Sequence, residues 1–207
     1  MSPQPADVYT WIAGTPRQGC DAFDAHVVAS ILAIAVWEAE TGRGCTADAV
    51  GLDGDDIVAL AGEMFPHTEA VFARIAGTPR PPRGEDESCL RELLWRNASG
   101  HSPLQRRLAD MIARRCLRPN HLWQDLGLRS RRELGWLMNR HFEPLAARNR
   151  ADMKWKKFFY RTICRDDGFT LCAAPSCAEC DDFEMCFGDE SGESLLARSR
   201  RAADLAA

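Results

Sequence analysis

The stretch DAFDAHVVASILAIAVWEAETG, residues 21–42, decides the fold class. Its apolar residues neither alternate as in a half-buried strand nor stop after the few residues of a buried one, so its length predicts a helix. Asp21 is placed to cap the first turn, and Gly42 and Gly44 end the run. The densest part, Val27–Trp37, is broken only by Ser30. Eleven residues fall short of the roughly 20 needed to cross a bilayer, which predicts a core helix and no membrane span.

The same signals recur outward from this stretch. Ile57, Leu60, Ala61 and Met64 fall at i, i+3, i+4 and i+7 within 54–65, and Pro66 stops them. A short helix is expected around Val71, Phe72 and Ile75. The run Gly77-Thr-Pro-Arg-Pro-Pro-Arg-Gly84 reads as a linker or exposed loop. Leu90, Leu93 and Leu94 predict a helix over 88–98. Ser102-Pro-Leu-Gln105 and Ser130-Arg-Arg-Glu133 both read as capping boxes opening helices. Trp155, Phe158, Phe159, Thr162 and Ile163 predict one more amphipathic helix, closed near Gly168. No stretch shows convincing strand periodicity, and no internal repeat is evident. The expectation is all-α: a single helical domain over 1–207, with a helical core at 20–165 and a C-terminal cysteine-rich metal-binding loop at 166–190.

The chain of 207 residues carries a net charge of −4, which conceals strong segregation. Residues 1–102 hold 7 basic and 15 acidic side chains, and residues 103–165 hold 16 basic and 5 acidic. Residues 166–193 hold 9 acidic and no basic ones. One reading is a basic helical layer partly neutralised by the acidic loop folded near it. Another is a nucleic-acid surface: Asp125–Leu134 resembles a helix–turn–helix corner, which keeps open a DNA-binding regulator with a metal-sensing cysteine loop. The acidic loop beside it argues against phosphate binding.

Nine cysteines without a basic–apolar–small leader point to a reducing, cytoplasmic setting, in which clustered thiols hold metal rather than disulfides. Cys172, Cys177, Cys180 and Cys186 follow the pattern C-x4-C-x2-C-x5-C. A compact run of this kind suits a polynuclear cluster, whose ligands spread over several irons. Structural zinc more often takes two knuckles separated by a longer spacer. Iron–sulfur, a zinc-stabilised interaction protein and unligated thiols all stay open on spacing alone. Cys20, Cys45, Cys89 and Cys116 are scattered singly and read as incidental or packed residues. Cys164 is a possible accessory near the metal, as are His121 and His141. Lys154, Lys157, Arg161 and Arg165 recur at three- and four-residue steps on one helix face, a possible oxyanion or partner surface. No Walker A loop, HExxH or other catalytic constellation occurs, so a carrier is expected rather than an enzyme.

The stretch MKWKKFFYRTICRDDGFTLCAAPSCAECDDFEMCFG, residues 153–188, resembles the signature of the NifQ family, the molybdenum-delivery proteins of nitrogen-fixing bacteria. Asn120–Gly127 and Arg132–Asn149 are similar to it as well. The resemblance covers about 120–188 and includes all four clustered cysteines. It implies an iron–sulfur cluster on Cys172, Cys177, Cys180 and Cys186 that takes up molybdenum as a mixed molybdenum–iron–sulfur species, from molybdate or thiomolybdate. It further implies the nitrogenase cofactor scaffold complex and the nitrogenase iron protein as partners.

Overall fold

The computed structural model describes residues 3–166, 190 and 192–206. Every regular element among them is helical. The helix expected at 22–39 is α2, Ala22–Glu40, and the Asp21 carboxylate accepts from the Phe23 and Asp24 amides. At nineteen residues it is long and apolar enough to span a bilayer by length alone, so the eleven-residue argument understated it. Its burial decides the matter: Ala25 and Val27–Ala35 are enclosed by the rest of the protein.

Around α2 pack α1 (Pro5–Ala13), α3 (Thr46–Val50) and α12 (Leu195–Ala206). The sequence reading named neither α1 nor α12. Val8 and Ile12 of α1 enter the main core, so the core reaches N-terminal to residue 20. Leu196 of α12 packs on Ala6 and Ile34, the Ser199 hydroxyl accepts from the Ala6 amide at 3.2 Å, and Arg200 lies 4.0 Å over the Tyr9 ring.

The expected helix at 54–65 is α4 (Gly54–Met64), capped by Asp53 and ended at Pro66. The short α5 (Glu69–Phe72) follows between two single 3-10 turns. The stretch 77–84 is the loop that its prolines suggested, exposed at Gly77, Pro79, Pro82 and Gly84, but it is pinned to the helices rather than free. Pro81 is buried, and Arg80 is tied to Asp53, Asp56 and Asp110, while Arg83 meets Asp110 at 2.7 Å. Ion pairs hold a segment whose composition forbids helix.

The helices α6 (Glu85–Arg96) and α7 (Pro103–Cys116) pack together as a pair. The box at Ser102 forms in full, with reciprocal bonds between Ser102 and Gln105. The one at Ser130 forms by half. Ser130 accepts from the Glu133 amide, but the Glu133 carboxylate turns to the Arg129 amide at 2.8 Å and His26 Nε2 at 3.2 Å. A tertiary partner from α2 outcompetes the local reciprocal bond.

The remaining elements are α8 (Leu122–Asp125), α9 (Arg131–His141), α10 (Glu143–Ala146) and α11 (Trp155–Asp166). The α8–α9 corner turns at Gly127, φ +72°, where an added Cβ would lie 3.0 Å from the Ser30 carbonyl oxygen. A one-turn, buried α8 falls short of the first helix of a helix–turn–helix.

The charge segregation is resolved across the fold. Basic residues of 103–165 meet acids of the N-terminal half: Arg107 with Asp56 and Glu63, Arg114 with Glu87, Arg115 and Arg118 with Glu38, and Arg140 with Asp21 and Asp24. The neutralising partners on these helices therefore come from helices distant in sequence, and not only from the acidic segment next in line.

Candidate metal centre

Cys172, Cys177, Cys180 and Cys186 lie outside the described residues. What the structure describes is the ground on either side of them, reached through α11 and left at Glu190.

The α11 helix buries Trp155, Phe158, Phe159 and Thr162. The three aromatics pack with ring centroids 5.8–6.1 Å apart. Its cations divide by face. Lys156 turns inward, where its Nζ donates to Asp125 at 2.7 Å and to the Asn120 carbonyl at 2.6 Å, joining α11 to α8. Lys154 is half-buried at the start of the helix, and Lys157 is exposed. Arg161 and Arg165 face a cleft of about 200 Å³, together with Arg148, Met153, Phe158 and Thr162. The four cations expected on one face are thus split: two line the cleft and two do not.

Arg148 was not among the sequence candidates. It follows α10, and its Nη2 donates to Asp166 at 3.0 Å, at the end of α11. That pair spans seventeen intervening residues, beyond any local spacing rule.

Glu190 is the first described residue beyond the cysteines, and only 6% of its side chain is exposed. Its Oε1 lies 3.2 Å from Arg131 Nη1 and 3.7 Å from His121 Nδ1, while its Oε2 is buried without a hydrogen-bond partner. Arg131 also donates to the Asp152 carbonyl at 2.6 Å and to the Met153 carbonyl at 3.0 Å. Asn149 clamps Met153 by two bonds of 2.9 Å. The two flanks of the cysteine-rich segment therefore rest on one short piece of chain: Asp166 on Arg148, and Glu190, through Arg131, on Asp152 and Met153. Sequence reading placed Arg131 in a capping box and in the helix–turn–helix-like corner, and gave Glu190 no individual role. Both acquire one from the return of a distant segment.

Of the accessory candidates, His121 stands beside this exit at Glu190. His141 is buried with Nε2 2.9 Å from Asp24, and so fastens α9 to α2. Cys164 is half-buried near the end of α11. Among the described residues, no three histidine, cysteine or carboxylate side chains converge on a single point. The scattered cysteines behave as packing or capping groups. Burial pushes the Cys116 thiol up to about 12, against the pull of Lys156, and the Cys45 sulfur accepts from the Asp48 amide at the start of α3.

The NifQ family model matches residues 27–188, from inside α2 to just past Cys186. The chain belongs to the NifQ family. It is 39% identical over 172 residues to the NifQ homolog of Sinorhizobium fredii, covering 83% of this chain and 75% of that protein. It is 41% identical over 169 residues to NifQ of Rhodobacter capsulatus, covering 80% of this chain and 91% of that protein. With NifQ of Azotobacter vinelandii it shares 45% identity over 101 residues, 49% of this chain and 52% of that one. No solved structure matches the chain. The resemblance read at 120–188 thus extends through most of the helical body, and the NifQ match runs from Val27 of α2 through α11 and the four cysteines.

Proposed function

We propose that this NifQ-family chain is an iron–sulfur protein that acquires molybdenum and hands it on for assembly of the nitrogenase iron–molybdenum cofactor. The observation that carries the reading is the run Cys172, Cys177, Cys180 and Cys186 within the family-matched segment. Four soft thiolates suit iron–sulfur ligation better than hard, oxygen-preferring ions. The nine carboxylates of 166–193 give uncoordinated thiolates no neighbouring cation in sequence, and a bound cluster relieves that repulsion.

In this reading the cluster supplies the inorganic chemistry, and the polypeptide supplies thiolates and a fixed base for both flanks of the cysteine segment. His121, whose Nδ1 lies 3.7 Å from Glu190 Oε1, is a candidate molybdenum ligand. The chain acts as a carrier rather than an enzyme, in the cytoplasm. It gives molybdenum to the cofactor scaffold complex, with the nitrogenase iron protein as a further partner.

The test is anaerobic isolation from cells supplied with molybdate, followed by iron, acid-labile sulfide, molybdenum and zinc analysis. Iron and sulfide in comparable amounts, with molybdenum, are expected. One tightly bound zinc and no iron uptake on reconstitution would replace the carrier with a zinc-stabilised interaction protein.

A further inference from the structure

The cleft beside α11 differs in its lining from the others described. The one between α6 and α11 carries Glu92 and Asp166, and the one at the start of α7 carries Asp56 and Asp110. The cleft at α11 is lined by Arg148, Arg161 and Arg165 and by no carboxylate among its described residues. Met153 and Phe158, both largely buried, add apolar surface to the lining. Its volume of about 200 Å³ equals the share of roughly seven waters, at about 30 Å³ each.

We propose that this cleft binds a tetrahedral oxyanion of the molybdate type at the foot of the cysteine-rich segment, with Arg148, Arg161 and Arg165 as its receptors. The assignment rests on the carrier reading for molybdenum as the cargo. Guanidinium groups present several N–H donors in fixed geometry and stay charged, which suits a dianion with four oxygens. The location follows from contacts already described. Arg165 and Asp166 are the last described residues before the cysteines, and Asp152 and Met153 hold the Glu190 flank through Arg131. An anion in this cleft therefore sits beside Arg165, next to Asp166 at one flank, and beside Met153, which Arg131 joins to Glu190 at the other. At Arg148 an incoming dianion competes with Asp166, whose carboxylate is half exposed and water-accessible rather than buried.

The experiment is molybdate and tungstate binding to the full chain by equilibrium dialysis, with sulfate and phosphate as competitors, in four forms. These are the metal-free wild type, the variant with Cys172, Cys177, Cys180 and Cys186 all replaced by Ala, Arg161→Gln combined with Arg165→Gln, and Arg165→Gln alone. Far-UV circular dichroism verifies folding, and the exposed Arg165 keeps the test valid should the double variant misfold. Binding should persist without the four cysteines. It should weaken about tenfold to a hundredfold in the arginine double variant and about tenfold in Arg165→Gln, as for the loss of charge-assisted hydrogen bonds. It should also weaken as salt rises. Molybdate binding that ignores both arginine variants, that vanishes with the cysteines, or that is absent while phosphate binds overturns the cleft. The two readings fail separately. A cluster that loads molybdenum normally in the arginine double variant removes the cleft and leaves the carrier. Arginine-dependent molybdate binding in a chain that takes up only zinc removes the carrier and leaves an anion site.

Discussion

Replacing Glu38 by Ala tests whether the basic segment is neutralised inside the fold. Arg115, on α7, has only 1% of its side chain exposed, and its Nη1 donates to both Glu38 oxygens at 2.9 and 3.0 Å. Its Nε and Nη2 are buried without hydrogen-bond partners. Burial pulls the Arg115 guanidinium below the ordinary arginine value, and Glu38 is the main opposing influence. Removing Glu38 leaves a buried cation with no carboxylate on it. Breaking a buried pair from one side costs about 3–5 kcal/mol. Arg118 also reaches Glu38, at 3.3 Å, but is exposed enough to turn to water, so it adds under about 1 kcal/mol. For a chain of this size the loss corresponds to about 6–20 °C in midpoint temperature, at roughly 2–4 °C per kcal/mol. Urea unfolding of the metal-free protein reads the cost directly, provided the slope m is unchanged. Glu38→Leu combined with Arg115→Met removes both charges and should return to within about 1 kcal/mol of the wild type or exceed it. A cost below about 1 kcal/mol for Glu38→Ala, or a double variant as unstable as the single, refutes internal neutralisation by this pair.

Replacing Cys172, Cys177, Cys180 and Cys186 by Ala should abolish iron and sulfide binding and leave the helical circular dichroism largely intact; cluster content equal to wild type counters the ligand assignment. Among the five described cysteines, the exposed Cys45 should alkylate first and Cys116 last, as mass mapping after brief iodoacetamide treatment would record, because burial holds the Cys116 thiol near 12. Gly54→Ala should destabilise by about 1–3 kcal/mol or more, since its Cβ would fall 1.8 Å from the Ile75 carbonyl oxygen. Gly135→Ala, in open space on α9, should stabilise by about 0.5–1 kcal/mol; urea midpoints moving in the same direction for both would contradict the packing. Burial opposes ionisation of Glu133, but the His26 and Arg129 hydrogen bonds outweigh it and hold its carboxyl below the usual 4.5. The stability it confers is therefore complete at neutral pH and is lost as pH falls through 4.5 toward the lowered value. The advantage of wild type over Glu133→Gln should shrink over that range, and an advantage that grows on acidification reverses the sign.

Local signals made most of the helices legible. Asp21 and Ser102 cap where their spacing says they should, because an N-cap needs only its own side chain and amides two or three residues on. Pro66 and Gly42 end helices for equally local reasons. The reading failed where a distant group competed. Glu133 left its capping box for His26, and the proline-rich 77–84 run was drawn in by Asp53, Asp56 and Asp110. The helices α1 and α12 were missed because their apolar stripes are short and complete themselves only against α2 and each other.

The candidate site divides in the same way. The four clustered cysteines and the family resemblance are properties of the linear sequence, which alone determined them. So did the presence of Arg161 and Arg165 on one face of a helix. That Arg148 joins those two arginines, that Lys156 is spent on α8, and that Arg131 and Glu190 fasten the far flank of the cysteine segment were decided only by tertiary structure. Each of these pairings joins residues separated by twelve or more intervening positions. Charge pairing over such distances depends on which helix faces meet when the apolar core closes, and helical periodicity reports only that a face exists, not which partner it will meet.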